Sequence, residues 1–81
     1  MKHELKMYGA SWCGTCRLVK KKLEDEGIPF EPIDVDDHME EADALNISSI
    51  PVIIAYKNGK EDGRWDDTKG DVISWIKFLE W

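Results

Sequence analysis

The spacing of hydrophobic positions changes along the chain, and each change predicts a new element. The apolar segment Leu5–Ala10 is typical of a short strand. Beyond it, apolar residues recur at the three- and four-residue spacing of one helix face, so we predict a helix over residues 17–26. The residues of that face are Cys16, Val19, Leu23 and, at its margin, Leu18. Gly27 and Pro29 then favour the end of the helix.

A second strand and a second helix are predicted between residues 30 and 46. Residues 30–35 alternate in polarity as a strand does, and Pro32 places that strand at the edge of a sheet. Asp36 or Asp37 can cap the following helix, and Asn46 can end it. The apolar face of this helix is predicted to consist of Met39, Ala42 and Leu45.

The last third of the chain predicts a hairpin followed by a helix. Residues 51–56 are nearly all apolar, which is typical of a central strand covered on both faces. Asn58-Gly59 signals a tight turn, and residues 60–65 form the returning strand, polar enough for a sheet edge. Thr68–Asp71 resembles a capping box before the last helix. The apolar stripe of that helix contains Val72, Ile73, Trp75, Ile76, Phe78 and Leu79.

The resulting element order is β-α-β-α-β-β-α. The first two strands are joined by a helical crossover and are therefore expected to be parallel, whereas the hairpin makes the last two antiparallel. Helices would then cover both faces of a four-stranded mixed sheet. We predict a single α/β domain over residues 1–81.

Composition and charge narrow the class of protein. Apolar residues make up 42% of the chain and charged residues 35%, which suits a soluble globular domain. A formal net charge of −6 argues against nucleic acid as a partner, since phosphate binding needs a basic surface. No apolar run approaches the roughly 20 residues of a membrane span, and the N-terminus lacks a signal-peptide pattern. We therefore expect a cytoplasmic monomer that binds neither nucleic acid nor membrane.

Both cysteines of the chain, Cys13 and Cys16, lie where the first strand ends and the first helix begins. A helix start offers free backbone N–H groups and the positive end of the helix dipole, which favour a thiolate. The thiolate is the form that attacks disulfides. In a reducing compartment a close pair is catalytic or metal-binding more often than structural. The leading hypothesis is a dithiol that reduces or forms disulfides, and two core cysteines are the structural alternative.

The spacing of the pair predicts different roles for the two thiols. Cys13, at the tip of the turn, is expected to be the nucleophile, and Cys16, on the inward face of the helix, is expected to be the resolving thiol. Gly14 and Thr15 let the turn form at little steric cost. Arg17 and the lysines after it either support the thiolate or only solvate the exposed helix face.

Three segments resemble the thioredoxin superfamily: Trp12-Cys13-Gly14-Thr15-Cys16, Ser49-Ile50-Pro51-Val52 and Tyr56-Lys57-Asn58-Gly59-Lys60. The element order is similar to the minimal form of that fold over the whole chain. The resemblance implies a thiol–disulfide oxidoreductase that carries electrons in a Cys13–Cys16 disulfide and needs no other cofactor. The chain is glutaredoxin-sized, whereas its motifs look more like thioredoxin. Glutaredoxins usually carry lysine at the position of Ala10 and tyrosine at that of Thr15.

The resemblance also implies residues that contact a substrate. In that family Trp12 is exposed beside the nucleophile, and Pro51 corresponds to a cis-proline that faces the cysteines. Such a proline leaves the Ile50 backbone free to pair with an extended client segment. Trp65 and the two aspartates after it are expected either to rim this groove or to form an ordinary exposed loop. The predicted substrate-binding set is Trp12, Gly14, Thr15, Ile50, Pro51 and Trp65.

Two departures from the family pattern bear on the chemistry. Thioredoxins usually have proline at the position of Thr15, and their buried aspartate, thought to help deprotonate the second cysteine, falls at Met7. Residues 63–67 are faintly similar to the glutathione-binding segment of glutaredoxins. They are also similar to the same loop of small glutaredoxin-like donors to ribonucleotide reductase.

The resemblance implies two alternative sets of partners. In the first, a thioredoxin-like carrier reduces disulfide-containing client proteins and is itself reduced by a thioredoxin-reductase-type flavoenzyme. In the second, a glutaredoxin-like reductant depends on glutathione or donates electrons to ribonucleotide reductase. Two hypotheses of other classes stay open. One is a metal or iron–sulfur module, of which two cysteines supply half a tetrahedral site, and the other is an interaction domain without redox turnover.

Overall fold

Strands and helices follow one another in the predicted order in residues 3–79, which the computed structural model describes. The strands are β1 (Glu4–Gly9), β2 (Glu31–Asp34), β3 (Val52–Lys57) and β4 (Lys60–Asp66). The helices are α1 (Gly14–Asp25), α2 (Met39–Ala44) and α3 (Val72–Phe78), with a short 3₁₀ turn (Asp67–Lys69) between β4 and α3. The predicted α/β class is confirmed.

The four strands form one mixed sheet in the order β2-β1-β3-β4. β1 pairs parallel with β2 and antiparallel with β3, and β3 pairs antiparallel with β4. Pro32 lies on the edge strand β2, opposite Met7 of β1. An edge strand tolerates a residue without an N–H, because one side of it has no neighbour to bond. Both predicted edge strands are therefore confirmed.

The sheet buries apolar side chains on both faces, because successive residues of a strand point to opposite sides. On one face, Leu5 and Met7 of β1 meet Ile53 and Ala55 of β3 beneath α1 and α3. This larger cluster is completed by residues that include Val19, Leu23, Trp65, Val72 and Ile76. The smaller cluster on the opposite face consists of Tyr8, Ile33, Val52 and Ile54, with Leu45 and Ile47 packed against it.

Two helices end where the sequence predicts, by the same local structure. Gly27 follows α1 with φ +67°, and Asn46 follows α2 with φ +57°. Glycine and asparagine tolerate this left-handed conformation better than other residues do. At the end of α1 the Ile28 N–H turns back to the Leu23 carbonyl at 2.9 Å, and the corresponding bond after α2 is also 2.9 Å. These bonds satisfy carbonyls that would otherwise lack a partner.

The predicted hairpin between β3 and β4 is also confirmed. Asn58 and Gly59 have φ values of +54° and +80°, as both central residues of a type I′ turn require. The register shifts between Ala55 and Tyr56, so that β4 has one more residue than β3 at this point. Such a bulge increases the local twist of an edge strand.

The helix starts differ from the predicted ones. α1 begins at Gly14, three residues earlier than predicted, with Cys13 as its N-cap. α2 has His38 as its N-cap and no side-chain capping bond, so the prediction that Asp36 or Asp37 caps it was wrong. α3 is capped by Asp71, whose carboxylate accepts a bond from the Ser74 N–H at 2.9 Å. The capping box predicted to start at Thr68 was therefore wrong, because Gly70 (φ +88°) separates the 3₁₀ turn from α3.

Three apolar residues assigned to buried faces are exposed. Leu18 is 65% exposed, Met39 66% and Phe78 82%. The buried face of α1 is narrow and consists of Cys16, Val19 and Leu23. Helix periodicity identifies the direction of a buried face, but the elements packed against it determine its width.

Two leucines of α1, one exposed and one buried, lead to a prediction about stability. Leu23→Ala removes a fully buried side chain (0% exposed) and should lower the free energy of unfolding by about 2–5 kcal/mol. Leu18→Ala removes the same atoms at a 65% exposed position and should change it by no more than about 0.5 kcal/mol. Urea unfolding of the oxidised proteins measures both. Equal losses for the two variants would contradict the packing of α1 described above.

Candidate active site

β1 and α1 are joined by a tight turn that holds both cysteines. Cys13 is the N-cap of α1, with extended backbone angles (φ −92°, ψ 108°), and Cys16 lies in the first turn of the helix. The Cys13 N–H donates to the Ala10 carbonyl at 3.1 Å, which closes the turn. The two sulfur atoms are joined in a disulfide, with Cα atoms 5.2 Å apart. That separation lies within the range that disulfides usually span.

The Cys13 sulfur occupies the position of the oxygen that usually caps a helix. The Cys16 N–H donates to it, with 3.1 Å between nitrogen and sulfur. This N–H is one of the donors that the first turn of a helix leaves without a backbone partner. In the reduced protein, this donor and the helix dipole would favour a negative charge on the Cys13 sulfur.

Both cysteines are largely shielded from solvent. Cys13 is 9% exposed and Cys16 is 4% exposed. Gly9, the last residue of β1, makes room for the inner sulfur, because a Cβ built on Gly9 would lie 3.1 Å from Cys16 Sγ. A side chain at this position would therefore press on the disulfide, whereas glycine lets the strand pass directly beneath it.

Trp12 is fixed beside the disulfide while most of its ring remains in solvent. It is 68% exposed, and its indole N–H donates to Asp36 Oδ2 at 2.9 Å. The Asp36 N–H in turn donates to Asp34 Oδ1 at 2.9 Å. Asp36 was predicted as a helix cap, and its bond to Trp12 was not predicted. No local pattern signals a bond between residues 24 positions apart.

Ile50 and Pro51 lie at the same edge of the sheet as the cysteines. The Ile50–Pro51 peptide bond is cis, as the resemblance implied. Pro51 is fully buried immediately before β3, whose first residue, Val52, pairs with Tyr8 of β1. Trp12 and Ile50 line one groove of about 410 Å³. The remaining residues of this groove are Val35, Ile47, Ser48 and Ser49.

The other members of the predicted substrate-binding set lie in two different environments. Gly14 and Thr15 occupy the exposed first turn of α1. Trp65 is only 3% exposed and belongs to the larger apolar cluster. Its indole N–H donates to the Gly70 carbonyl at 3.2 Å. The expectation that Trp65 rims the groove therefore differs from the structure, since its position in β4 points the ring into the core.

A second cavity, of about 240 Å³, lies on the α1 side of the sheet next to Cys16. Its walls include Met7, Pro32 and Asp34, with Arg17 and Lys20 from α1. Met7 is 4% exposed and belongs to the apolar cluster that contains both cysteines. The position where the resemblance implies a buried aspartate is thus apolar in this chain.

Hydrogen bonds shift the pKa values of three acidic groups, of which Asp66 ends β4 at this edge of the sheet. The Thr68 hydroxyl and N–H hold the pKa of Asp66 below its usual value. The Ser74 N–H lowers the pKa of Asp71 in the same way. Burial and the hydrogen bond to Glu41 raise the pKa of Tyr8, which lies on the opposite face of the sheet. The two aspartates therefore carry negative charge at neutral pH, and the Tyr8 phenol is neutral.

Residues 3–79 contain neither a cluster of metal ligands nor a membrane-spanning helix. Within this range, no three His, Cys, Asp or Glu side chains come together in a way that could hold a metal ion. None of the helices described there has the length and apolar character needed to cross a bilayer.

Comparison with known proteins identifies relatives of this chain. The glutaredoxin family model matches residues 5–60. Thioredoxin from Mycoplasma genitalium is 40% identical over 62 residues, which are 70% of this chain and 61% of the relative. Thioredoxin from Chlamydia caviae is 35% identical over 60 residues, 68% of this chain and 59% of the relative. The aligned segments thus span about three fifths of the length of these relatives.

Solved structures with the same fold are also thioredoxins. The X-ray structure of Fasciola hepatica thioredoxin superposes with a TM-score of 0.79 at 27% identity, covering 95% of this chain and 80% of that one. The solution structure of oxidised thioredoxin from Plasmodium falciparum gives a TM-score of 0.73 at 28% identity, with coverages of 96% and 77%. These similarities confirm the predicted thioredoxin fold. The chain belongs to the glutaredoxin family, within the thioredoxin superfamily that its sequence motifs predicted.

Proposed function

We propose that this protein is a thiol–disulfide oxidoreductase that reduces disulfides in other proteins through Cys13 and Cys16. The observation that carries the proposal is the position of Cys13 as the N-cap of α1, where its sulfur accepts the Cys16 N–H and is bonded to the Cys16 sulfur. A sulfur in this position is stabilised as a thiolate when reduced, and its partner is already close enough to form a disulfide with it.

The reaction follows two exchanges of sulfur partners. In the reduced protein the Cys13 thiolate attacks one sulfur of a client disulfide, so that a mixed disulfide forms and the other client sulfur leaves as a thiolate. The Cys16 thiol loses its proton to solvent, and its sulfur attacks Cys13 Sγ. The mixed disulfide breaks, the second client thiolate leaves, and the Cys13–Cys16 disulfide forms. Two electrons have then passed from the protein to the client, and no further cofactor is needed in these steps.

The surface around the disulfide supports contact with a client chain. Trp12 is exposed yet held in place by Asp36, so it can cover a bound segment at little cost in side-chain entropy. Ile50 lies in the same groove, where its backbone can pair with an extended client as an added strand does. Gly14 and Thr15 present the start of α1 to the same client. Pro51 fixes the chain behind this groove.

Two reductants are candidates for returning the disulfide to the dithiol. The thioredoxin relatives, together with alanine at position 10 and threonine at position 15, favour a thioredoxin-reductase-type flavoenzyme. The glutaredoxin family match favours glutathione as the second candidate, with ribonucleotide reductase as a possible class of client by family analogy. We rank the flavoenzyme first. The cytoplasmic location and the monomeric state stay predictions.

Trapping of the mixed disulfide tests the roles of the two cysteines. Cys16→Ser removes the second attack, so reduced Cys16→Ser protein mixed with insulin should accumulate a mixed disulfide on Cys13, detectable by mass spectrometry. Cys13→Ser should accumulate far less, because Cys16 lies inside the first turn of α1 and the N–H that favours a thiolate points at the Cys13 position. Adducts that form mainly on Cys16 in the Cys13→Ser protein would reverse the assignment. Failure of the unmodified protein to turn over insulin disulfides with dithiothreitol would favour a non-redox interaction domain.

The pH dependence of alkylation tests the effect of the helix start on Cys13. In reduced Cys16→Ser protein, the rate of reaction with iodoacetamide should reach half its plateau about one pH unit below the value near 8.5 of an ordinary cysteine. The reason is that the thiolate of Cys13 is stabilised by the Cys16-position N–H and the helix dipole. Cys16 in the Cys13→Ser protein is the control. Two thiols that both ionise like free cysteine would contradict the proposal.

Turnover with each reductant tests the ranking of the two candidates. A disulfide substrate such as insulin should be reduced several-fold faster with NADPH and thioredoxin reductase than with NADPH, glutathione and glutathione reductase. The physical reason is that the chain lacks the lysine and tyrosine that glutaredoxins usually carry near their cysteines. The Cys13→Ser protein should be inactive with both systems. Faster turnover with glutathione would make the second candidate the better one.

A further inference from the structure

The groove beside the disulfide has an uncharged floor and acidic flanks. Its lining consists of Trp12, Ile50 and four other residues, none of them charged. The strand ends on either side of this edge of the sheet carry aspartates. One group follows β2 and the other ends β4. The two groups differ in sequence position by some thirty residues, so only the fold brings them to the same edge of the sheet.

The flank that follows β2 consists of Asp36 and Asp37, and Asp34 is the last residue of the strand itself. Asp36 holds the Trp12 indole, and Asp34 accepts the Asp36 N–H. Asp37 is exposed, and its N–H donates to the Asp34 carbonyl at 3.1 Å, which holds the turn in place. Because Trp12 lines the groove, the hydrogen bond to Asp36 places this group of carboxylates directly at its side.

The flank at the end of β4 consists of Asp66 and Asp67. Asp66 pairs with Val52, the residue that follows the cis-proline. Its hydrogen bonds with the Thr68 hydroxyl and N–H hold its pKa below the usual value. Asp67 is exposed in the 3₁₀ turn that follows. Both carboxylates therefore lie beside the start of β3, on the other side of the disulfide from the first flank.

The lining of the groove includes no cation. Arg17 and Lys20 line the separate cavity on the α1 side of the sheet, of which Asp34 is also a wall. Lys69 donates to the Arg64 carbonyl at 3.0 Å. The groove thus has carboxylates beside it and no cation in its lining, in a chain whose formal net charge is −6. Such an arrangement attracts positively charged partners and repels negative ones.

The sheet order gives the separation of the two outer strands, at whose ends the flanks lie. β2 and β4 are the outer strands, with β1 and β3 between them. Three strand spacings amount to about 14 Å, which about four residues of an extended chain span. A client segment whose cysteine meets Cys13 midway would therefore place residues about two positions before and after that cysteine beside the carboxylates.

We propose that this protein selects disulfides whose cysteines are flanked by lysine or arginine about two positions away on both sides. This proposal rests on the proposed function and names the client class of the same site. Such a client meets Trp12 and Ile50 with its cysteine and neighbouring residues, and meets the Asp37 and Asp67 carboxylates with its basic side chains. The selectivity is electrostatic, so it acts mainly on the rate of association and weakens as salt screens the charges.

Three disulfide-linked peptide dimers test the preference. Their sequences are acetyl-Lys-Ala-Cys-Ala-Lys-amide and the same peptide with glutamine or glutamate in place of both lysines. The rate constant for reduction by the reduced protein is divided by that for reduction by dithiothreitol, which corrects for the reactivity of each peptide. At about 20 mM salt the lysine dimer should be reduced roughly tenfold faster than the glutamate dimer, with glutamine between them. At about 500 mM salt the ratio should fall several-fold.

A matched pair of double variants distinguishes the effect of the two flanks from the effect of the total charge on the rate of reduction. D37N/D67N removes one carboxylate from each flank, and both residues are exposed. E24Q/E26Q removes two carboxylates at the far end of α1, about 15 Å from its start. Both double variants change the net charge by two. The lysine-to-glutamate rate ratio should fall at least about threefold in D37N/D67N and keep its value in E24Q/E26Q.

Each outcome assigns the failure to one proposal. If the glutamine dimer is not reduced at all, the oxidoreductase function itself is wrong. If the glutamine dimer is reduced but the lysine and glutamate dimers react at equal normalised rates, the client preference is wrong and the proposed function stands. If the preference exists but falls equally in both double variants, the total charge causes it and the two flanks do not.

Discussion

The hydrogen bond from the Cys16 N–H to the Cys13 sulfur depends on how β1 passes into α1. The strand must end at a residue without a side chain, since a Cβ on Gly9 would meet Cys16 Sγ at 3.1 Å. The helix must then begin with Cys13 as its cap, so that the first free N–H points at that sulfur. Because β1 is a central strand of the sheet and Leu23 anchors α1 in the core, neither element can shift without loss of packing. The redox pair is therefore as rigid as the core beneath it.

The same sheet brings the partners of this junction together from distant parts of the chain. β2 ends beside β1, so Asp36, which follows β2, lies within hydrogen-bonding distance of Trp12. β3 begins beside β1, so Ile50, which precedes β3, lies in the groove. The parallel pairing of β1 and β2 is essential here, because it places both carboxyl ends at one edge. An antiparallel pair would have sent Asp36 to the opposite end of the molecule. Topology thus decides which polar residues can surround the disulfide.

Several features governed by neighbouring residues were predictable, although the caps of α2 and α3 were not, and the burial of particular side chains by packing across the fold was missed. The left-handed ends of α1 and α2 and the hairpin turn depend on Gly27, Asn46 and Asn58-Gly59 themselves, so the sequence predicts them. The cysteine pair and its helix start are local in the same sense. The burial of Trp65 and the exposure of Phe78 depend on where α3 meets the sheet. The spacing of apolar residues along the chain does not contain that information. The hydrogen bond between Trp12 and Asp36 could not be predicted either, because the sequence around each residue already suggests a role that does not involve the other.

Met7 lies where the resemblance implied a buried aspartate, and the Cys13–Cys16 disulfide forms without that carboxylate. A carboxylate at this position, inside the apolar cluster that contains Cys16, would cost free energy to bury. Methionine avoids that cost and packs opposite Pro32, another residue with no polar side chain. The polar groups that line the cavity beside Cys16 are then Arg17, Lys20 and Asp34 at its walls, together with Ser11. Cys16 therefore meets polar neighbours at the walls of this cavity, whereas the Cys13 sulfur depends on the helix start. The two thiols of one short motif draw on different parts of the structure, and a substitution can alter one step of the exchange without altering the other.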